Sequence, residues 1–363
     1  MRADRIAVRG FRNLVDLDLA LPPAGAVLLG PNAHGKTSVL EALYYPVLYR
    51  SFRGAADAEV TQWGGPGFQL ALGGDIAGRP WDVRVGFVRE GRRKRVTVDG
   101  LERERLADAV GQWLAVAFLP TDLALLEGPA GERRRYLDRV LALADPVYLR
   151  ALLRYRAGLS QRNAALRGGR AEVARAFGAR VAESGAEVIR HRLAWVEAQR
   201  DRFEEDCVAL GETRPVTLRY RGTAELAEAG AWAELLARAA DRELARGMTL
   251  VGPHRDDLVI EQEGRVLRDV GSTGQLRTAA VSLKLAELAT LREASGREPV
   301  LLLDDVFAEL DRERQERLSV RLGAPGVRQV FLTAPRRDEL PEGLALEVFE
   351  VRDGAPRPAA VPV

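Results

Sequence analysis

Gly30-Pro31-Asn32-Ala33-His34-Gly35-Lys36-Thr37 spells G-x-x-x-x-G-K-[ST], a loop whose backbone N–H groups wrap a phosphate. Its flanks agree with that reading. Ala26-Val27-Leu28-Leu29 on one side is a short buried strand in prospect. On the other side, Ser38 to Tyr49 places Val39, Leu40, Leu43, Tyr44 and Val47 at helix-compatible spacing. A strand, a glycine-bearing turn and a helix N-terminus together make an anion site. The eight loop residues and Ser38 are therefore the expected nucleotide cradle. Lys36 reaches the β and γ phosphates, and the Thr37 hydroxyl is offered to Mg²⁺. Composition points the same way. Of 54 Lys plus Arg, only Lys36, Lys94 and Lys284 are lysines. A compact ammonium suits this loop better than a planar guanidinium.

Far down the chain, Val300-Leu301-Leu302-Leu303 leads into Asp304-Asp305. An apolar run without alternation fits a strand buried on both faces of a parallel sheet. Ligands of such sheets bind beyond the carboxyl ends of the strands. Asp304 is thus expected to hold Mg²⁺ with Thr37, and Asp305 to orient or deprotonate an attacking water. Between these two segments, Gly271-Ser272-Thr273-Gly274-Gln275 opens a run with Leu276, Val281, Leu285, Leu288 and Leu291 at helical spacing. Gln275 stands 29 positions before Asp304.

The bulk numbers set limits. At 363 residues with 47% hydrophobic content, two lobes with sizeable cores are expected. The longest apolar runs fall short of a membrane span, and Met1-Arg2-Ala3-Asp4-Arg5 has no signal-peptide core. One cysteine, Cys207, excludes an internal disulfide and a Cys-rich metal centre. The expectation is a cytoplasmic protein. A net charge of +2 carries no global nucleic-acid signature, so any DNA contact falls to local patches. Arg92-Arg93-Lys94-Arg95 and Arg133-Arg134-Arg135 are the densest, each readable as a solvated face instead.

Phosphate loop, Ser-x-Gly-Gln turn and acid-tipped strand, in that order, resemble the ATP-binding-cassette ATPases. Lys36 and Asp304 are 268 positions apart, more than in transporter subunits and less than in SMC proteins. Within that superfamily the chain resembles the RecF family of bacterial recombination-repair ATPases over nearly its whole length. The likeness rests on Arg9-Gly10-Phe11-Arg12-Asn13, Gly30 to Thr37, Phe118-Leu119-Pro120-Thr121-Asp122-Leu123 and Gly131-Glu132-Arg133-Arg134-Arg135-Tyr136-Leu137-Asp138. It continues through Gly252-Pro253-His254-Arg255-Asp256-Asp257-Leu258, Ser272-Thr273-Gly274-Gln275 and Leu303-Asp304-Asp305-Val306-Phe307-Ala308-Glu309-Leu310-Asp311.

The resemblance implies an α/β fold: an ABC-type ATPase head, a mixed β-sheet bearing the phosphate loop, from residues 1–128 and 247–363. A mainly helical arm domain is inserted at 129–246. It implies ATP and Mg²⁺ as cofactors, and an ATP-dependent homodimer in which Ser272, Thr273, Gly274 and Gln275 reach the partner subunit's ATP. Asp311 matches the D-loop. The catalytic residues are Lys36 and Asp305. It further implies DNA binding, to duplex or to single/double-strand junctions at gaps, and RecA loading with RecO and RecR. Hydrolysis of ATP to ADP and phosphate would be weak and DNA-stimulated. Asp305 replaces the superfamily's glutamate, and Thr333 stands near its switch histidine; both departures imply slow turnover. No glutamine is assigned to the Q-loop, with Gln112 before the strand ending at Phe118 and Thr121-Asp122 after it. A transport-energising subunit and a nucleotide-gated binder with negligible turnover are the rival readings. His254 with Asp256 and Asp257 reads as a structural turn or part of a nucleotide-dependent interface, with a metal site as its rival.

The insertion also reads physically. Pro146 opens a helix to about Leu166, and Gly168-Gly169 breaks it. Ala171 to Leu210 forms a second long helix weakened by Gly178 and Gly185, with Val173, Phe177, Val181, Ser184, Val188 and Trp195 on one face. A short helical hairpin or a plain amphipathic core helix would each give this pattern. The N-terminal part is predicted to be β-rich, with strands around Asp4–Val8, Leu14–Leu21, Gln69–Leu72, Val83–Val88 and Arg95–Val98, the last followed by an Asp99-Gly100 turn. Val330–Thr333 and Leu346–Val351 are the expected closing strands.

Overall fold

Two strands without an exposed residue, Ala115–Phe118 and Val300–Leu303, lie side by side and parallel, with Leu303 opposite Phe118. Their unbroken apolar character reflects burial on both faces. The computed structural model to which they belong describes residues 1–307, 310–322, 329–340 and 346–359. Ala308 and Glu309 of the expected acidic motif lie outside the described residues.

Contacts divide the chain into two compact units, one of residues 1–122 with 287–363 and one of residues 123–286. In the first, Val300–Leu303 pairs on its other side with Val330–Ala334. That strand pairs in turn with Gly25–Leu29, and Gly25–Leu29 with Glu347–Arg352, all in parallel. The hairpin strand Ala355–Pro358 closes one edge antiparallel. The phosphate-loop strand and the acidic strand are therefore next-but-one neighbours, with Val330–Ala334 between them. Gln112 precedes Ala115–Phe118 and so lies at the amino end of that parallel sheet, while Leu119 to Asp122 leave its carboxyl end, where the phosphate loop also emerges.

A second six-stranded sheet is antiparallel throughout, in the order Leu17–Ala20, Arg2–Arg9, Gly67–Ile76, Arg79–Val88, Arg93–Val98, Leu101–Glu102. Alternation produces it: Trp81, Val83, Val85 and Phe87 are buried while intervening residues are not. The predicted strands all occur, most of them longer than the apolar runs that signalled them, and Asp99-Gly100 turns Val98 onto Leu101. One buried side chain ties the two sheets. The Gln329 amide donates to the carbonyls of Ala3 and Pro22 at 2.8 and 2.9 Å and accepts from Ala3 N–H at 2.8 Å.

The second unit is mainly helical. Ala130–Ala144, Pro146–Arg167, Gly178–Ala209 and Ala229–Arg246 pack with a three-stranded antiparallel sheet of Val216–Arg221, Asp257–Gln262 and Arg265–Val266. Asp145 caps the helix at Pro146 by accepting from Val147 N–H at 2.7 Å, as a proline at the first helical position invites. The expected 40-residue helix is divided at Phe177 into Ala171–Ala176 and Gly178–Ala209. The longer piece runs unbroken through Gly185. A Cβ there would come within 2.6 Å of the Trp232 ring, so its bareness lets the helix at Ala229 pack closely. The two long helices do run together, and they also share one core, with Tyr136, Tyr148, Val188, Trp195, Phe203 and Trp232. They are the centre of a packed body as well as a hairpin. The boundary expected at 246/247 is not where the compact units part, because Asp257–Gln262 pairs in full with Val216–Arg221.

The arginine clusters are partly structural. Arg133 is buried in a bidentate pair with Asp257 at 2.8 and 2.9 Å, Arg134 donates to the Asp256 carbonyl at 2.7 Å, and Arg135 pairs with Glu132. Lys94 bonds the Tyr49 carbonyl and Asp57, both at 2.7 Å, whereas Arg92, Arg93 and Arg95 stay exposed. Since Gln329 satisfies three buried backbone groups, Gln329→Ala strands them together. A loss of roughly 2–4 kcal/mol is expected, read as a lower urea midpoint for the unit containing residues 1–122.

Candidate nucleotide site

The loop expected from the sequence leaves the carboxyl end of Gly25–Leu29 and enters the helix Lys36–Leu48 through Gly35, whose φ of +103° favours a residue without a Cβ. That helix is apolar nearly all round and buried from Ser38 to Val47, which fixes its N-terminus in place. Its first N–H groups have no intrahelical partner and face the loop's concavity. The loop is fastened from outside. Asn13 donates to the Ala33 carbonyl at 2.9 Å and accepts from the Ser38 hydroxyl at 2.8 Å. His34 accepts from Asp353 N–H at 3.1 Å, and its carbonyl accepts from Gly354 N–H at 3.0 Å. Lys36, only 4% exposed, folds back over the mouth, with Nζ donating to the Gly30 and Pro31 carbonyls at 2.7 and 3.2 Å and to Asn32 Oδ1 at 3.4 Å. Its ammonium is thus held where a bound anion would meet it.

Next to the loop, three sequence-distant elements converge. The Thr37 hydroxyl donates to Asp304 Oδ1 at 2.8 Å. The Thr333 hydroxyl lies 3.0 Å from Asp304 Oδ1 and from Asp305 Oδ1, and accepts from Asp305 N–H at 2.9 Å. Its single proton can serve only one of the two carboxylates. Burial holds the Asp304 carboxyl above its ordinary range, outweighing the Thr37 and Thr333 hydroxyls, which pull the other way. Asp305 adopts φ +49°, an uncommon conformation for a residue with a side chain. Hard oxygen donors at hydrogen-bond spacing, one of them a desolvated carboxylate, fit Mg²⁺, and Thr37 and Asp304 are the residues that could hold it.

Both groups border a cavity of about 800 Å³, lined by loop residues, Asp305, Arg12, Arg53, Trp63 and Arg89. Arg12 is aimed by a buried partner. Glu41, fully buried on the helix, receives two of its guanidinium N–H groups at 2.7 and 2.9 Å and a short bond from the Ser51 hydroxyl. Arg12 is quoted above only within a motif, and Glu41, Arg53 and Trp63 are not singled out by the sequence at all. Glu41 had a weak signal, being the one acid on an otherwise apolar helix.

The remaining expected residues lie elsewhere in the fold. Ser272 and Gln275 cap the helix Thr273–Ser295 reciprocally, Ser272 N–H donating to Gln275 Oε1 at 2.9 Å and Gln275 N–H to Ser272 Oγ at 3.3 Å. Ser272 and Thr273 are exposed, and Gly274 is half-buried. They belong to the second compact unit, the loop and the acidic pair to the first. Asp311 caps the helix Arg312–Leu322, accepting from Arg314 N–H at 3.0 Å. This bond, with the paired Arg314 guanidinium, pulls its carboxyl below the ordinary range. His254 is consumed by structure. Nε2 donates to the Thr249 carbonyl at 3.0 Å, so in the neutral ring Nδ1 accepts from the Tyr155 hydroxyl at 2.6 Å; burial pushes the imidazole below its usual value. Asp257 is paired with Arg133, and Asp256 accepts from Tyr220. Among the described residues no group of three or more His, Cys, Asp and Glu could hold a metal ion.

With this geometry in place, the comparisons are decisive. "DNA replication and repair protein RecF" of Chloroflexus aurantiacus is 38% identical over 394 residues, covering 98% of this chain and 99% of its own. The chain belongs to the RecF family. A RecF of the same description from Halalkalibacterium halodurans is 36% identical, again over 98% and 99% of the two chains. No family model matches the chain. Among solved structures, "the recombination mediator protein RecF-ATP in RecFOR pathway" superposes with a TM-score of 0.90 at 28% identity, covering 99% of this chain and 98% of that one. The Smc head domain of Pyrococcus furiosus shares the fold, with a TM-score of 0.59 at 13% identity. The α/β ABC-type ATPase head with a helical insertion is therefore the architecture, and DNA replication and repair is the family's work. No described helix is long and apolar enough to cross a membrane.

Asp304 supplies a test through stability. Its folded-state carboxyl titrates above the unfolded one, so the fold binds the extra proton, and stability falls as pH rises from the ordinary carboxylate range through the raised value. Without nucleotide or metal, Asp304→Asn should therefore raise the unfolding temperature near pH 7 by roughly 2–4 °C. The gain should shrink toward pH 4. The same variant should lose Mg²⁺-dependent hydrolysis. Differential scanning calorimetry across pH and a phosphate-release assay check the two halves.

Proposed function

We propose that this chain binds ATP with Mg²⁺ at the loop Gly30–Thr37, hydrolyses it slowly, and uses the nucleotide to assemble and release a DNA-bound homodimer. The observation that carries the reading is the meeting of Thr37, Asp304, Thr333 and Asp305 beside the loop, contributed by the helix Lys36–Leu48, the carboxyl end of Val300–Leu303 and the strand Val330–Ala334. A RecF relative solved with ATP supports the choice of nucleotide.

In this reading the N–H groups of the loop and of the first helical turn cradle the phosphates, and Lys36 exchanges its loop carbonyls for β and γ oxygens. Thr37 and Asp304 would hold the metal, which would supply positive charge to the phosphates. Asp305 orients the attacking water and accepts its proton. Its carboxylate is one methylene shorter than glutamate, and Thr333 takes up one of its oxygens. Both features restrain its reach and favour slow turnover.

Ser272, Thr273 and Gly274 present an exposed helix N-terminus, a site for a second anion. We assign it to the γ-phosphate held by a partner subunit, with Asp311 lining the same interface. Dimer closure would then require ATP, and hydrolysis would open it. DNA, duplex or at the junctions of single-strand gaps, is the partner held in the closed state; RecR, RecO and RecA are the partners the family suggests, the first two supporting RecA loading.

Lys36→Met should abolish ATP binding. Ser272→Arg should leave binding within about twofold yet keep the protein monomeric in sedimentation with ATP, with ADP and with no nucleotide, because an added guanidinium occupies the anion site. Normal ATP-dependent dimerisation of Ser272→Arg would sink the two-subunit site. Asp305→Asn tolerates the left-handed backbone and should bind ATP normally, while phosphate release, with or without duplex DNA, falls by at least about a hundredfold. Equal, negligible release from wild type and variant would instead identify a nucleotide-gated binder without turnover.

A further inference from the structure

Trp63 is fully exposed, although it is a large apolar side chain, whereas Trp81, Trp113, Trp195 and Trp232 are all at most 7% exposed. A solitary exposed apolar residue needs no explanation on a mobile tip. This one is held firmly. Gly65 N–H donates to the Gln62 carbonyl at 2.9 Å, closing a four-residue turn in which Trp63 is second and Gly64, at φ +72°, is third. A positive φ at the third position is what a type II turn requires, and glycine supplies it without strain. The turn is pinned on both sides. Gln62 N–H donates to the Gly10 carbonyl at 2.7 Å, and Arg12 N–H to the Val60 carbonyl at 2.7 Å. Arg89 staples the segment further, its guanidinium donating to the carbonyls of Gly65 and Ala58 at 3.0 and 2.9 Å.

The pinned turn places Trp63 on the wall of the cavity that the phosphate loop also lines. A cavity of about 800 Å³ exceeds what a triphosphate alone would fill and falls within the usual range for whole small-molecule ligands. Its loop residues offer N–H groups and an ammonium, and Trp63 offers an aromatic face in a lining that also includes Arg12, Arg53 and Arg89. Charge-bearing groups and a π face thus share one pocket. A nucleotide has the same division.

We propose that Trp63 is the stacking platform for the nucleotide's purine base. The proposal rests on the nucleotide reading of the loop and adds to it the group that holds the opposite end of the ligand. An indole on a pinned turn has only two side-chain torsions to order, and the stack is worth about a ten- to a hundredfold in affinity. Trp63 positions the ligand and takes no part in the chemistry.

Because the other four tryptophans are buried, acrylamide quenching of tryptophan emission reports on Trp63. ATP with Mg²⁺ should shield it. Inorganic tripolyphosphate with Mg²⁺ should bind, competing with ATP, without shielding it. Trp63→Ala should lower ATP affinity by about ten- to a hundredfold and leave tripolyphosphate affinity unchanged, with Trp63→Phe keeping most of the ATP affinity. Saturating ATP that leaves quenching unaltered, or Trp63→Ala that binds ATP like wild type, would overturn the platform while sparing the loop. Shielding by single-stranded DNA in the absence of nucleotide would also overturn it, assigning the ring to nucleic acid. If neither ATP nor tripolyphosphate binds the wild-type protein, the loop reading itself fails and the platform falls with it.

Discussion

The carboxylate of Asp304 is buried at the end of the most deeply packed strand of the molecule, accepting the hydroxyl of Thr37 and lying within reach of that of Thr333. Those hydroxyls do not offset what it loses by leaving water, and its carboxyl titrates high as a result. The rest of the site follows from keeping that group in place. Val330–Ala334 must lie between the loop strand and the acidic strand for Thr333 to reach across. The helix at Lys36 must be apolar nearly all round, with Glu41 its one buried acid, so that the sheet can hold its N-terminus against Asp304. Asp305 is drawn into a left-handed backbone conformation beside the same hydroxyl. Two costs, a desolvated charge and a strained residue, thus sit on one spot. Strain of this kind persists only where the surroundings over-determine it, and a divalent cation bound there would relieve the electrostatic part directly.

The residues gathered at that spot were legible because they lie in short motifs. A phosphate loop needs its residues consecutive, since consecutive N–H groups make the cradle, and an acid-tipped buried strand announces itself by lack of alternation. The strands of the antiparallel sheet were likewise visible through alternation, with bounds that fell short where Gly73, Gly74 and Arg79 interrupt the apolar pattern without interrupting the pairing. What was not legible is non-local. Thr333 was marked only by its place near the superfamily's switch histidine; that its hydroxyl lies within reach of two carboxylates depends on strand order. Glu41 and Arg12 are 29 positions apart and Gln329 and Ala3 are 326 apart, and nothing local in either sequence neighbourhood specifies the partner.

Charge clusters illustrate the same point with the opposite outcome. Arg133-Arg134-Arg135 reads as a basic patch, yet a helix sends successive side chains in different directions. Arg133 turns inward to Asp257, Arg134 reaches a carbonyl, and Arg135 stays on the surface beside Glu132. Lys94, within the other cluster, is likewise committed to Tyr49 and Asp57 by strand alternation. Counting positive residues along the chain therefore overstated the surface charge at both places. Among the glycines of the insertion, Gly168-Gly169 ends a helix and Gly178 follows the break at Phe177, but Gly185 lies within an unbroken helix, where its missing Cβ admits Trp232.

The helical unit shows why its boundary could not be read from composition. Among the described residues its interior contains the arginine–carboxylate pairs Arg133–Asp257, Arg162–Glu243 and Arg192–Asp138, each with at most 10% of either side chain exposed. Buried pairs of this kind add little net stability, since desolvation offsets most of the attraction, but removing one partner leaves an uncompensated charge. Their effect is to forbid alternatives. Arg133 and Asp257 are separated by 124 positions, so their pairing commits the segment after residue 246 to the body formed by the helices before it. The ladder between Val216–Arg221 and Asp257–Gln262 requires the same register. Apolar patterning would have allowed either arrangement of that segment; it is the misplacement of a charge that the fold cannot tolerate.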